Sequence, residues 1–219
     1  CGRSSAFELG ARMLPGPCGA ASQLLANAPD GLTALQLLCI ASARLSPLLT
    51  PRLLVTSGRA WLWWMPSCRI PPALKAWLAD FHHAALKSLL TQRAGTGCDG
   101  TWHFARTAPS DLSVCWSHLG QGLRHGCQAD AASFPISAIT RPGLMPLDRQ
   151  RWLAQEALPM LAMTDPEALR RPMLSRLHDW LFVHIDQSPS LEHCAQAFGI
   201  SPATLKRQLQ ALDTHFRAE

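Results

Sequence analysis

The sequence predicts an α+β fold, a mixed helix-and-strand domain followed by an all-helical piece. Three observations lead there. Helical and strand-like runs interleave before residue 140. Two short runs of alternating side chains, one rich in tryptophan, flank a Ser-Gly turn signal at 57–58. After Pro142-Gly143 the remaining patterns are helical.

Taken in order, Cys1–Ser5 shows no structural pattern. Gly19–Asn27 reads as a short apolar helix, broken by Asn27-Ala28-Pro29-Asp30-Gly31. Thr33–Arg44 is a stronger helix that Ser46-Pro47 and Thr50-Pro51 end. Arg52–Thr56 and Arg59–Met65 form the two arms of an expected hairpin, with Trp61 and Trp63 on one side of the second arm and Leu62 and Trp64 on the other. Pro71–Gln92 is the longest helical pattern, its Leu74, Trp77, Leu78, Phe81, Ala85, Leu86, Leu89 and Leu90 recurring at helical spacing. Gly95–Gly100 is a loop, Thr101–Arg106 a strand, and Pro109-Ser110-Asp111 opens a helix that Gly120 caps. Leu123–Cys127 and Phe134–Thr140 are expected strands. A proline-punctuated stretch then carries a helix near Asp148–Leu161, and Leu169–Ile185 is helical, firmly so from Met173 because Pro172 interrupts it.

Composition narrows the class. The 219 residues are 47% apolar and 16% charged, enough for a sizeable core and against disorder. No apolar run reaches membrane-spanning length and no secretory signal opens the chain, so a cytoplasmic protein is expected. The chain begins at Cys1, which suggests sequence missing ahead of it. The eight cysteines include no CxxC pair and read as reduced thiols without a metal. His82 and His83 are adjacent on a helix and point apart, so a solvated or half-buried role is expected rather than ligation. The net charge is +5, but residues 1–165 hold 14 Lys and Arg against 9 Asp and Glu, while residues 166–219 hold 6 against 6. Net charge alone therefore does not point to nucleic acid.

Local rules at the end of the chain point further. In AQAFGISPATLKRQL, Ser190 upstream caps a helix that buries Leu191, Cys194 and Ala195. Gly199 suits a left-handed corner, Ile200 plugs the space between helices, Ser201 caps the next helix, and Pro202 sits in its first turn. Leu205 and Leu209 form the buried side; Thr204, Lys206, Arg207 and Gln208 fall on or near the other. This is a helix-turn-helix, whose second helix can enter a DNA major groove. A tight helical hairpin that only packs a domain uses the same rules.

The segment SLEHCAQAFGISPATLKRQLQALDTHFRAE resembles the first helix-turn-helix of AraC/XylS-type transcription regulators, and ALDTHFRAE resembles the lead-in to that family's linker helix. Upstream, LGARMLPGPCGAASQLLANAPDGLTALQLL and HFARTAPSDLSVCWSHLGQGLRHGCQADAASFPIS resemble the arabinose-binding-like regulatory domain of one subgroup, a label that does not make sugar the ligand. The resemblance implies a regulatory domain over 1–145, a helical linker over 146–168, and over 169–219 the first half of a DNA reader whose second motif lies beyond this chain. It implies DNA contacts from Ser201, Thr204, Lys206 and Arg207, an unknown small-molecule effector, a possible homodimer, no membrane, and no cofactor. The family often carries arginine where this chain has Ala203 and a basic residue at Gln208.

Other readings compete. His103, Cys115, His118 and His125 invite thiol catalysis or metal binding, with Cys115 and His118 three apart on one helix. No carboxylate, nucleophile elbow or phosphate loop stands at a matching spacing, so no enzyme is expected. Trp61, Trp63, Trp102 and Trp116 are candidates to line an apolar ligand pocket, and core packing is the plain alternative. The alternative to a regulator is a small-molecule-binding or dimerisation module with a structural helical tail.

Overall fold

A computed structural model describes residues 3–14, 19–56, 58–94, 99–141, 173–184 and 188–217. The expected helix at 148–161 and the linker range 146–168 lie outside these residues.

The fold is α+β. Three helices come first, α1 (Arg3–Met13), α2 (Gly19–Ala26) and α3 (Gly31–Leu45). Asp30 caps α3 by accepting from the Thr33 N–H at 2.7 Å. The hairpin follows as β1 (Leu49–Thr56) and β2 (Arg59–Pro66), then the 23-residue α4 (Pro72–Ala94). Next come β3 (Thr101–His103), α5 (Ser113–Leu119), β4 (Leu123–Arg124), β5 (Ala131–Pro135) and the single turn α6 (Ile136–Ile139). The described chain ends in three helices, α7 (Met173–His184), α8 (Leu191–Ala197) and α9 (Pro202–Ala211). No helix among the described residues is long and apolar enough to cross a membrane.

The strands form one sheet in the order β1-β2-β5-β3-β4, antiparallel except for β3 with β4. Alternation sorts its faces. Ala60, Leu62 and Trp64 of β2, Trp102 of β3, and Ala132 and Phe134 of β5 are buried in a core shared with Phe7 of α1, Leu35 and Leu38 of α3, and Leu86, Leu89 and Leu90 of α4. Trp61, Trp63 and His103 stand on the opposite face, only partly covered. A second, smaller core lies in the last three helices: Leu174, Leu177, Cys194, Ala195, Leu205 and Leu209.

Several expectations need correction. Arg3–Met13 is helical although its start shows no sequence pattern. Gly10 explains why α1 sits so close to α4: a Cβ there would lie 2.1 Å from the Phe81 carbonyl oxygen. The strand expected over Phe134–Thr140 lies earlier, at Ala131–Pro135, and Pro135 marks its end because it caps α6 rather than extending a ladder. The strands expected over Thr101–Arg106 and Leu123–Cys127 are shorter, ending at His103 and Arg124. On α4, Leu74 is exposed, while His82 and His83 are buried. His82 stacks on Trp64 with centroids 4.6 Å apart, and its Nε2 lies 2.9 Å from Ser46 Oγ. His83 meets Trp102 and Phe104 edge-on. Aromatic partners and one hydroxyl make burial tolerable for a neutral imidazole. Burial pushes His82 down to about 4 and His83 to about 3, Arg106 adding to the latter.

Candidate nucleic-acid interface

The corner between α8 and α9 is set by backbone hydrogen bonds. Ile200 N–H donates to the Ala195 carbonyl and Gly199 N–H to the Gln196 carbonyl, each at 3.0 Å. That paired pattern is the Schellman motif, and it requires the left-handed backbone that Gly199 adopts at φ 67°. Phe198 closes α8, and both it and Ile200 pack onto the second core. Ser201 then caps α9, accepting from the Thr204 N–H at 3.1 Å, with Pro202 in the first turn. Ser190 caps α8 in the same way, through His193 N–H at 3.2 Å.

The corner turns α9 so that Leu205 and Leu209 are buried while Lys206, Arg207 and Gln208 face solvent. Of the four residues expected to touch DNA, Lys206 and Arg207 are exposed cations. Ser201 Oγ also lies 2.9 Å from Thr204 Oγ1, so those two hydroxyls serve the cap. The four therefore divide into two exposed cations and two residues that hold the helix start in place.

No spacing in the sequence marks how the helical end meets the sheet. α7 lies against the outer face of β1 and β2. The Thr50, Ser67 and Ser175 hydroxyls cluster at 2.6–3.3 Å. Arg52, nearly buried, pairs with Asp179 at 2.8 Å and donates to the Ser175 carbonyl at 3.2 Å. Trp63 meets Phe182 edge-on at 6.2 Å. Farther along, Arg69 pairs with Asp213 just past α9. Apart from Thr50–Ser67, these contacts join residues more than a hundred positions apart, beyond the reach of any local rule.

Between sheet and helices opens a cleft of about 1600 Å³. Arg52, Leu54, Trp63 and Met65 line it from the sheet, Leu181 and Phe182 from α7, and Lys206 and Leu209 from α9. One flank of the DNA-reading candidate thus borders a space shared with the sheet.

The tryptophans divide. Trp61 and Trp63 stack on the outer face with centroids 5.8 Å apart, and Trp61 also meets His103 at 5.1 Å. Trp102 is fully buried on the opposite face, its Nε1 donating to the Leu119 carbonyl at 3.1 Å. Trp116 is half exposed on α5. Of the four, Trp63 alone borders the cleft. The thiol and imidazole candidates have neighbours of other kinds. Cys115 is buried, His118 stacks on Phe7, and His125 stacks on Phe104. His103 faces Cys127 instead, Nδ1 to Sγ at 3.8 Å, and burial followed by Arg124 and Arg59 lowers its pKa. Among the described residues no cluster of three or more His, Cys, Asp or Glu is placed to hold a metal.

No family model matches the sequence, and no curated protein matches it. Among solved structures there is a likeness in shape. The transcriptional regulator CdpR from Pseudomonas aeruginosa superposes with a TM-score of 0.58 at 14% identity, over 99% of this chain and 70% of that one. The α+β arrangement of this chain is therefore one that occurs in a solved protein.

Proposed function

We propose that the protein is a ligand-responsive, DNA-binding transcription regulator of the AraC/XylS type. Residues 1–145 form its effector-binding domain and 169–219 the first helix-turn-helix. The observation that carries the reading is the capped helix α9, turned outward by the Gly199 corner with Lys206 and Arg207 in solvent. A cation pair on the open side of a second helix is what a major groove accepts, with phosphate and guanine edges as partners. The resemblance of the terminal segment supports it, as does the likeness in shape to a transcriptional regulator. The protein acts without catalysis, in the cytoplasm where its DNA is, and a homodimer is the expected working state.

For the effector, the cleft supports a small molecule better than the four tryptophans do, because those four do not share one space. A molecule there touches sheet and helical end at once and so biases how α9 is presented.

Gel-shift titration of the full-length protein against its own promoter region tests the reading. Arg207→Ala is expected to weaken binding by about 1–3 kcal/mol if the arginine reads a base edge. Unchanged affinity at fixed salt removes Arg207 from the reading set.

One observation favours a second reading, a small-molecule-binding module with a structural tail. The helical end is tethered to the sheet half by Arg52–Asp179 and Arg69–Asp213, and Lys206 borders the cleft. On that reading the cleft binds its ligand and DNA affinity is absent.

A further inference from the structure

We propose that Arg176, on α7 and outside the helix-turn-helix, is a DNA phosphate contact held in position by Phe198. The inference rests on the DNA-binding reading above and adds a residue that no local motif marks.

Three arginines of the described residues are committed to aspartates: Arg52 to Asp179, Arg69 to Asp213 and Arg106 to Asp80. Arg176 is exposed and forms no ion pair among the described residues. Its guanidinium is nevertheless not loose. The central carbon sits 4.6 Å from the Phe198 ring centroid. Phe198 is half-buried against the second core and fixed by its place at the end of α8, so the platform under the cation is rigid.

Stacking uses the face of a guanidinium and leaves its N–H edge outward. That edge is the part which pairs with phosphate oxygens, two at a time. A fixed arginine also loses less freedom on binding than a solvated one. Its location agrees. Phe198 immediately precedes the Gly199 corner and the N-terminus of α9. When a helix-turn-helix docks, the second helix enters the groove by its N-terminal part while the preceding elements cross the backbone. A cation beside that corner therefore faces the strand rather than the bases. Contacts of that kind set register and contribute affinity without sequence information. The positive field of Arg176 already reaches α8: burial pushes the Cys194 thiol up to about 11, and Arg176 acts against that rise.

The test is fluorescence anisotropy of full-length protein on a duplex of about 30 base pairs and arbitrary sequence, over a series of sodium chloride concentrations. Arg176→Gln is expected to bind roughly 5–10-fold more weakly near 0.1 M salt, with the slope of log affinity against log salt reduced by about one. Arg176→Lys keeps the charge and is expected to restore the slope. Phe198→Leu keeps an apolar side chain on the core but removes the ring, and is expected to lose part of the affinity with an unchanged melting temperature. Wild-type affinity and slope in Arg176→Gln overturn the inference while leaving the DNA reading intact. A wild-type protein that binds no duplex even at low salt overturns both.

Discussion

The sheet half and the helical end are held together by different amounts of the same thing. In the sheet half, helices and a five-stranded sheet close over one extended core in which Trp102, Phe104, Phe134 and Phe7 are fully buried. At the helical end, three helices share a small core built on Leu174, Leu177, Cys194, Ala195, Leu205 and Leu209. Burial of apolar area is the main stabilising contribution in both, and it scales with what is enclosed. The helical end compensates with local devices, two serine caps and one Schellman corner, and with long-range ion pairs to the sheet half. The difference teaches that the DNA-reading candidate is locally specified yet weakly enclosed. Such an element can shift relative to its support when a ligand binds between them.

The contrast can be broken most sharply by acid. The unfolded chain takes up protons on His82 and His83 near pH 6.5, the folded chain only near 4 and 3. Above that window the two contribute nothing to a pH dependence. As pH falls through it, stability drops with a slope of about 1.4 kcal/mol per pH unit for each imidazole. Both lie in the sheet half, so mild acid is expected to loosen that half first despite its larger core. Near-ultraviolet circular dichroism between about pH 7 and 4 measures it, and a flat stability profile would show the two histidines reach solvent.

Next in size, Leu205→Ala is expected to cost about 2–5 kcal/mol, because it removes most of a fully buried side chain from a core of few residues. Heat should then melt the helical end ahead of the sheet half, giving two calorimetric transitions. A single shifted transition would show the two halves fold as one unit.

Gly10→Ala should cost about 1–3 kcal/mol by overpacking. The added Cβ meets the Phe81 carbonyl, which belongs to a helix backbone and cannot swing aside. Thermal melting compares it with Gly199→Ala. At Gly199 space is open and only the φ of 67° resists. About 1–2 kcal/mol of local strain is expected there. If Gly10→Ala melts at the wild-type temperature, close approach of α1 to α4 is not what Gly10 provides.

How much of this is legible in the sequence differs between the halves for the same reason. Every device at the α8–α9 corner is local: Gly199, Ser201 and Pro202 act on backbone within a few residues, so their spacing announces them. The hairpin is legible because alternation in β2 sends Trp61 and Trp63 one way and Leu62 and Trp64 the other. What stays hidden is long-range. The helix α1 has few strong signals of its own and is secured by packing on α4. The buried His82 and His83 look like surface residues until Trp64, Trp102 and Phe104 arrive from other elements. Arg52–Asp179, the stack of Arg176 on Phe198 and the cleft all need residues distant in sequence. Grouping the four tryptophans by type overlooks strand alternation, which sends Trp102 to the opposite face from Trp61 and Trp63.

The central claim is that α9 reads DNA through Lys206 and Arg207. Sequencing the duplexes that full-length protein selects from a randomised pool tests it most directly. A short enriched motif is expected, with the preference at one or two positions lost in Arg207→Ala. Recovery of an unenriched pool, or an identical motif from the Arg207→Ala protein, would contradict it.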